Sequence, residues 1–146
     1  MKTAGLAVRM GYKNVYVYNE GLPEWVKRGY PAEIKEVYPK PKIPFINAAD
    51  LKGMIDRKED IYLLDLRDED DRKAGWIKGS KNIDMEVLDD SFREVPKSRK
   101  LMLIDLHGKQ SYMAARFLTS KGFKDISMLE GGFVGGWLKA GYPVEQ

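Results

Sequence analysis

The 146-residue sequence contains no cysteine and a single histidine. Without a thiol there is no disulfide, no thiolate nucleophile and no zinc or iron–sulfur site ligated by cysteine. A single histidine also excludes a metal site built from a histidine cluster. Composition alone leaves open a magnesium or calcium site made of carboxylates, but we predict no metal and no cofactor. A chain without thiols suits reducing and oxidising surroundings equally, so the cellular compartment stays unknown.

Two further features are scarce, namely excess charge of one sign and long apolar runs. There are 25 Lys and Arg residues against 22 Asp and Glu, for a formal charge of +3. Nucleic-acid binding needs a clustered basic face, so we expect no nucleic-acid partner. No apolar run approaches the roughly 20 residues of a membrane span. Residues 1–5 are not followed by the apolar stretch and cleavage site of a signal peptide.

Strand-like and helix-like segments alternate from residue 43 onward. Short apolar runs predict strands covered on both faces, as in parallel sheets. Strands separated by helix-length segments predict an α/β fold with a central parallel β-sheet and helices on both faces. Predicted strands lie at 61–66, 81–84, 101–104 and 126–129, and predicted helices at 48–56, 86–91 and 133–139 and in the segment that follows residue 111.

Local signals support three of these helices. Asn47 followed by Asp50 resembles a capping box at the start of the helix 48–56. The acidic run 68–71 precedes Arg72 and Lys73, which is the charge order of a short helix aligned with its dipole; a binding role for this acidic run is the alternative. The helix after residue 111 is expected to end at Gly122. Its predicted apolar face consists of Met113, Ala114, Phe117 and Leu118.

The chain repeats itself at the distance of a whole domain. Residues 11–15 resemble 122–126, and residues 25–31 resemble 137–143 through the pattern Trp-x-Lys-x-Gly-Tyr-Pro. The offset is 111 residues and becomes 112 after one extra residue before Trp137. This spacing is far too long for a solenoid repeat. Residues 1–33 therefore look like the last helix–strand–helix of a first domain.

This repeat predicts three segments along the chain. Residues 1–33 form the C-terminal remnant of a first domain, 34–42 a stiff Pro-rich linker, and 43–146 a complete domain. The remnant lacks the rest of its sheet, and an orphan strand invites pairing with another chain. It packs on the complete domain, is exchanged between two chains of a homodimer, or belongs to a longer protein. We expect packing or dimerisation, and we expect both Trp25 and Trp137 to lie in a core.

Several motifs stand in the order found in one known family. Residues 63–67 resemble a strand that ends in Asp-x-Arg, and 75–80 resemble the pattern Gly-His-Ile-x-Gly-Ala with Trp76 in place of His. Gly131-Gly132 and the final Gly-Tyr-Pro resemble the family's C-terminal end. These motifs resemble the rhodanese family, whose sulfurtransferases carry sulfur as a persulfide on a cysteine. The resemblance covers residues 43–146, and residues 1–33 resemble the end of a preceding rhodanese-like domain.

The resemblance places the family's active loop after the strand 101–104. The family pattern is Cys-x-x-Gly-x-Arg-Ser, with its backbone N–H groups turned inward as an anion cradle. Here Gly108 and Ser111 match, Gln110 replaces the Arg, and Asp105 stands at the nucleophile position. The six-residue length, 105–110, argues against the related phosphatases, which need one residue more. The loop equivalent comprises Asp105, Leu106, His107, Gly108, Lys109, Gln110 and Ser111.

The resemblance implies a role for each of these positions. Asp105 cannot form a persulfide, and we expect its carboxylate to fill the cradle and accept the inward N–H bonds. His107 is interpreted as an exposed loop residue. Asp65 and Arg67 are expected to fix the carboxyl edge of the sheet, and Trp76 to pack near the loop. No catalytic residue is therefore expected in this chain.

Three functions follow from this interpretation. The first is a catalytically inactive rhodanese-like domain with a binding, regulatory or structural role, as one part of a tandem sulfurtransferase-family protein. Its partner is an unknown protein or the rest of that tandem chain. The second is an enzyme with altered chemistry that uses Asp105 and His107 in the same pocket. The third is a relay partner that docks to a sulfur carrier without chemistry of its own.

Overall fold

The computed structural model describes residues 2–33 and 38–146. The chain divides into two units, Met1–Val37 and Tyr38–Gln146, and each is described by itself. Residues 34–37 of the predicted linker lie outside the described residues. None of the helices in the described ranges has the length and hydropathy that a bilayer crossing requires.

The second unit contains a five-stranded sheet in which every pair of strands is parallel. Its order is β1–β5–β4–β2–β3. The strands are β1 (Phe45–Ile46), β2 (Ile61–Asp65), β3 (Lys81–Asn82), β4 (Lys100–Ile104) and β5 (Ile126–Leu129). This confirms the predicted fold class. β1 is an additional strand that the sequence pattern did not predict, and β3 is two residues shorter than the predicted strand.

Helices cover both faces of this sheet. On one side α6 (Ser111–Ser120) packs against Leu64 and Leu103. On the other side α3 (Ala48–Asp56) and a C-terminal π-helix (Gly132–Leu138) pack against Leu63 and Met102. Because neighbouring residues of each strand are buried on opposite faces, the strands are continuous apolar runs. The helices of the second unit are α3 (Ala48–Asp56), α4 (Glu69–Arg72), α5 (Leu88–Ser91), α6 (Ser111–Ser120) and the π-helix (Gly132–Leu138), with 3₁₀ turns at Met85–Val87 and Phe92–Glu94.

The predicted helix starts are confirmed in detail. The Asn47 side chain accepts a hydrogen bond from the Asp50 backbone N–H at 2.8 Å, which caps α3. Asp68 caps the acidic helix α4 in the same way through the Asp71 N–H at 2.7 Å. One predicted core position of α6 is wrong, because Met113 is 48% exposed whereas its neighbour Ala114 is fully buried.

The first unit contains α1 (Lys2–Arg9) and α2 (Gly21–Lys27). The strand predicted between them is not formed, since no residue in the described range 2–33 belongs to a sheet. A strand needs a neighbour to accept and donate its backbone hydrogen bonds. Trp25 is half-buried instead of lying in a core, whereas Trp137 is 2% exposed, as predicted.

The sequence repeat is also a repeat of local structure. Trp25 Nε1 donates to the Pro31 carbonyl at 2.9 Å, and Trp137 Nε1 donates to the Pro143 carbonyl at 3.0 Å. The one residue inserted before Trp137 has a structural counterpart: α2 is an α-helix, whereas the corresponding segment of the second unit is a π-helix. A π-helix accommodates one extra residue in the same turn, so both tryptophans keep the same hydrogen bond.

Residues 38–42, predicted as part of a stiff linker, are fastened to α6 of the second unit. The Arg116 guanidinium donates to the carbonyls of Tyr38 at 2.8 Å and Pro39 at 2.7 Å. The Tyr38 ring packs edge-on against Phe117, with centroids 5.6 Å apart. The carbonyls and the aromatic ring of this stretch therefore have partners on the helix, and the linker bounds 34–42 stay a prediction.

Replacing Arg116 tests how far this attachment depends on one side chain. Arg116→Ala is expected to lower the free energy of unfolding of the second unit by roughly 1–2 kcal/mol, because two charge-assisted hydrogen bonds are lost at a half-exposed site. Trypsin is then expected to cut after Lys42, which precedes Ile43, faster than in the parent chain. Lys124→Ala, a change at an exposed position, is the control. Equal cleavage rates in both variants would show that Arg116 does not hold the segment.

Candidate functional site

The segment between β4 and α6, which we call the cradle loop (residues 105–110), forms the candidate site at the carboxyl end of the sheet. It follows Ile104 directly and leads into Ser111, the first residue of α6. In open α/β sheets, ligands bind at this end of the strands. Gly108 has a φ of 75°, which a residue with a Cβ adopts only under strain. The loop can therefore curl tightly enough for its backbone N–H groups to converge.

Those N–H groups converge on the carboxylate of Asp105, which is 1% exposed. Its Oδ1 accepts a hydrogen bond from the Gly108 N–H. Its Oδ2 accepts from the N–H groups of Gln110 at 2.5 Å and Ser111 at 2.8 Å. The predicted filling of the cradle by this side chain is confirmed. The inward N–H groups of the loop are therefore bound to a carboxylate of the protein itself, that of Asp105.

The other loop side chains point in different directions. His107, Lys109 and Gln110 are exposed, and Leu106 is half-buried. The fold therefore brings the backbone of the loop together around one carboxylate but leaves the polar side chains of its tip in solvent. His107 is exposed, as interpreted from the sequence.

The start of the π-helix supports the cradle loop from behind. The Phe133 N–H donates to the Asp105 carbonyl at 2.7 Å, and the Val134 N–H donates to the Leu106 carbonyl at 3.0 Å. A Cβ added to Gly132 would lie 2.5 Å from the Gly108 backbone nitrogen, so only glycine fits there. The sequence analysis did not assign this role. The doubled glycine at 131–132 is the signal that could have indicated a close approach of two backbones.

A buried ion pair stands at the end of the neighbouring strand β2. Arg67 Nε and a terminal nitrogen donate to the two Asp65 carboxylate oxygens at 2.9 and 2.7 Å, and both side chains are at most 1% exposed. The same guanidinium donates to the carbonyls of Asp71 at 3.2 Å and Gly75 at 3.0 Å. The expected fixing of the sheet edge by these two residues is confirmed.

Arg67 also connects this edge to the support of the cradle loop. Its guanidinium carbon lies 3.7 Å from the centre of the Phe133 ring, in cation–π geometry. Asn82 of β3, which the sequence analysis missed, donates to the carbonyls of Asp65 and Arg67 at 2.8 Å each. A single Asn in a short polar strand carries no sequence signal for this role.

Trp76 belongs to a different set of contacts. Its backbone exchanges two hydrogen bonds of 2.9 Å with Glu145, and the Arg72 guanidinium carbon lies 4.8 Å from its ring centre. A Cβ added to Gly75 would lie 2.7 Å from the Glu145 carbonyl oxygen. These contacts fasten the turn 75–80 to the C-terminal end of the chain. The expected packing of Trp76 near the loop stays a prediction.

The donor set of the site offers little to a metal ion. Across the described ranges, 2–33 and 38–146, no group of three or more His, Asp or Glu side chains is arranged to hold one. The Asp105 and Asp65 carboxylates are instead used by backbone N–H groups and by arginine.

A family model for the rhodanese-like domain matches residues 47–139. The chain belongs to the rhodanese-like family. Among curated relatives, it is 32% identical over 104 residues to the thiosulfate sulfurtransferase GlpE of Pseudomonas putida, over 71% of this chain and 89% of the relative. It is 26% identical over 99 residues to a sulfurtransferase of Allochromatium vinosum, over 68% of this chain and 92% of the relative.

Solved structures of rhodanese-like proteins share the fold. The rhodanese-related protein of Thermoplasma volcanium is 33% identical with a TM-score of 0.63, over 70% of this chain and 97% of that chain. The Alr3790 protein of Anabaena is 30% identical with a TM-score of 0.63, over 68% of this chain and 81% of that chain. This rhodanese-like chain has no cysteine anywhere in its sequence.

Proposed function

We propose that the chain is a non-catalytic rhodanese-like module with a binding, regulatory or structural role in a tandem sulfurtransferase-family protein. The observation that carries the proposal is the Asp105 carboxylate, which accepts hydrogen bonds from the N–H groups of Gly108, Gln110 and Ser111. In a sulfurtransferase of this family these groups would stabilise a cysteine thiolate or its persulfide. Here they stabilise a side chain that cannot carry sulfur.

The filled cradle also works against binding of an external anion. The inward N–H groups already have an acceptor, and the carboxylate would repel thiosulfate or phosphate at close range. Arginine at position 110 would add a positive charge beside the loop, but this chain has the neutral Gln110. The loop is therefore kept as a rigid structural element and not as a substrate pocket.

The alternative is an enzyme that uses Asp105 and His107. A nucleophile or base must reach its substrate within hydrogen-bonding distance. Asp105 is 1% exposed and its oxygens face the loop backbone, whereas His107 is exposed at the tip. The names of the curated relatives keep this alternative worth testing, since they are sulfurtransferases. A further version of the proposal is a relay partner that docks to a sulfur carrier and performs no chemistry.

The proposed partner is another protein or the rest of a tandem chain. Residues 1–33 would be the C-terminal remnant of a first rhodanese-like domain, and a homodimer through this segment is the other arrangement. The matching Trp–Pro hydrogen bonds of the two units support the first arrangement, because they show the same local fold in both copies. We propose no nucleic-acid partner.

An assay with thiosulfate and cyanide tests the proposal. The purified chain is expected to form thiocyanate no faster than buffer, because no residue can accept the sulfur. A cysteine-containing relative such as the P. putida thiosulfate sulfurtransferase serves as the positive control. Turnover above background that disappears in Asp105→Asn and in His107→Ala would favour the altered enzyme and refute the proposal.

A further inference from the structure

The first unit carries an open groove with a volume of about 360 Å³. Both ends of the α2 region contribute to it, together with the extended segment that follows. Its lining consists of Tyr18, Gly21, Leu22, Trp25, Pro31, Ala32 and Glu33. Leu22 is 66% exposed, so apolar surface of the groove lies in solvent.

The internal repeat shows which residues of the second unit correspond to this lining. At offsets of 111 and 112 residues, Gly21 corresponds to Gly132, Leu22 to Phe133 and Glu33 to Glu145. In full, the corresponding residues are Leu129, Gly132, Phe133, Trp137, Pro143, Val144 and Glu145. The correspondence holds in backbone conformation as well, because Gly21 and Gly132 have φ values of 71° and 63°.

In the second unit, two segments of the same chain lie against this surface. The cradle loop lies against Gly132 and Phe133, with the Asp105 carbonyl accepting the Phe133 N–H at 2.7 Å. The turn that begins at Gly75 lies against Val144 and Glu145, through the paired backbone bonds of Trp76 and Glu145. Phe133 is fully buried as a result.

The groove of the first unit has a corresponding lining, and its described residues, 2–33, contain no counterpart of these two neighbouring segments. A Cβ at Gly21 would meet only the ring of its own Pro23, at 3.7 Å, whereas a Cβ at Gly132 would be 2.5 Å from the Gly108 nitrogen. Leu22 is 66% exposed where its counterpart is 0% exposed. The backbone shape that receives a cradle loop is present, and the space for the loop is open.

We propose that this groove is a docking site for the cradle loop and the Gly-x-Ile-x-Gly turn of the remaining part of a first rhodanese-like domain. The partner rests on the tandem role proposed above. A second copy of this chain does not fit, because its cradle loop is already held by its own Gly132, Phe133 and Val134. Gly21 and Leu22 are thus positioning residues for a loop on the partner.

One difference between the copies predicts how that loop is held. Val134 donates its N–H to the Leu106 carbonyl at 3.0 Å. The corresponding residue of the first unit is Pro23, which has no N–H to donate. The Leu22 N–H therefore remains to hold the docked loop through the carbonyl of its first residue, and the second backbone bond is missing.

A graft within the full chain tests whether the groove fits a cradle loop. Residues 132–145 are replaced by a second copy of residues 21–33, which places the groove lining opposite the chain's own cradle loop. The grafted chain is expected to unfold cooperatively, with the Gly108 and Gln110 amides exchanging with solvent at least tenfold more slowly than in the matched graft that carries Gly21→Val in the transplanted copy. The valine Cβ would collide with the Gly108 backbone.

A second graft carries Leu22→Phe in the transplanted copy and restores the ring that stacks on Arg67. It separates a poor fit of the groove from simple loss of that aromatic contact. If neither graft folds, or if the loop amides exchange as fast as in the Gly21→Val graft, the groove does not accept a cradle loop and the proposal is overturned. Neither result changes the thiocyanate assay, so the proposed non-catalytic role is judged separately.

Discussion

The Asp105→Cys variant is expected to carry a thiol whose reaction with iodoacetamide keeps about a quarter of its maximal rate at pH 6, whereas an ordinary exposed cysteine keeps less than about one hundredth of its own maximal rate. The N–H groups that now bind the Asp105 carboxylate would bind the thiolate instead. Such donors at a helix start can lower a thiol pKa from about 8.5 to about 6.5, which raises the thiolate fraction at pH 6 far more than it lowers the nucleophilicity of the sulfur.

Ser98→Cys, at an exposed turn position, is the matched control. Because both thiols are ionised above about pH 9, their rates relative to their own maxima are expected to coincide there. Alkylation rates measured from pH 5 to pH 9.5 would show this. If Asp105→Cys follows the pH profile of Ser98→Cys throughout, the cradle depends on the aspartate and does not exist without it.

The second large effect concerns the buried ion pair of β2. Arg67→Met is expected to lower the free energy of unfolding by about 3–5 kcal/mol, because Asp65 would stay buried without its partner. The change also removes the donors to the Asp71 and Gly75 carbonyls and the contact with Phe133. Chemical denaturation followed by tryptophan emission measures the effect.

An exposed pair in the same chain serves as the control. Arg57 and Glu59 contact each other at 2.7 Å, but their side chains are 65% and 37% exposed. Arg57→Met is expected to cost less than about 1 kcal/mol, because solvent screens exposed pairs. The double variant Asp65→Asn with Arg67→Met should recover part of the loss. A cost for Arg67→Met no larger than that of Arg57→Met would contradict the buried-pair argument.

Most of the sheet of the second unit could be predicted from the sequence. Its central strands β2, β4 and β5 are apolar on both faces, so their runs are continuous and conspicuous. The edge strands were harder, because β1 and β3 are two residues long and carry little pattern. The prediction of a strand in the first unit was wrong for a related reason. A strand depends on a neighbouring strand, and this segment has none among its own described residues.

The candidate site also has one part that could be predicted from the sequence and one part that could not. The filling of the cradle by Asp105 follows from a local motif and was predictable. The support of the loop by Phe133 and Val134, and the anchoring of Pro39 by Arg116 of α6, join residues distant in sequence through backbone carbonyls. Every residue type has a backbone carbonyl, so such contacts cannot be predicted from the residue types that accept them.

Ser127, a small polar residue within β5, affects which segment of the chain can complete the sheet while the protein is being synthesised. Ser127 is 5% exposed, and the repeat places Tyr16 at the corresponding position of the first unit. Residues 2–33 leave the ribosome before α6 and β5 exist, when the nascent sheet still lacks its last strand. A tyrosine cannot enter the space of a buried serine without overpacking. Overpacking of this kind costs about 1–3 kcal/mol, so occupation of the β5 position by residues of the first unit is disfavoured against occupation by residues 126–129.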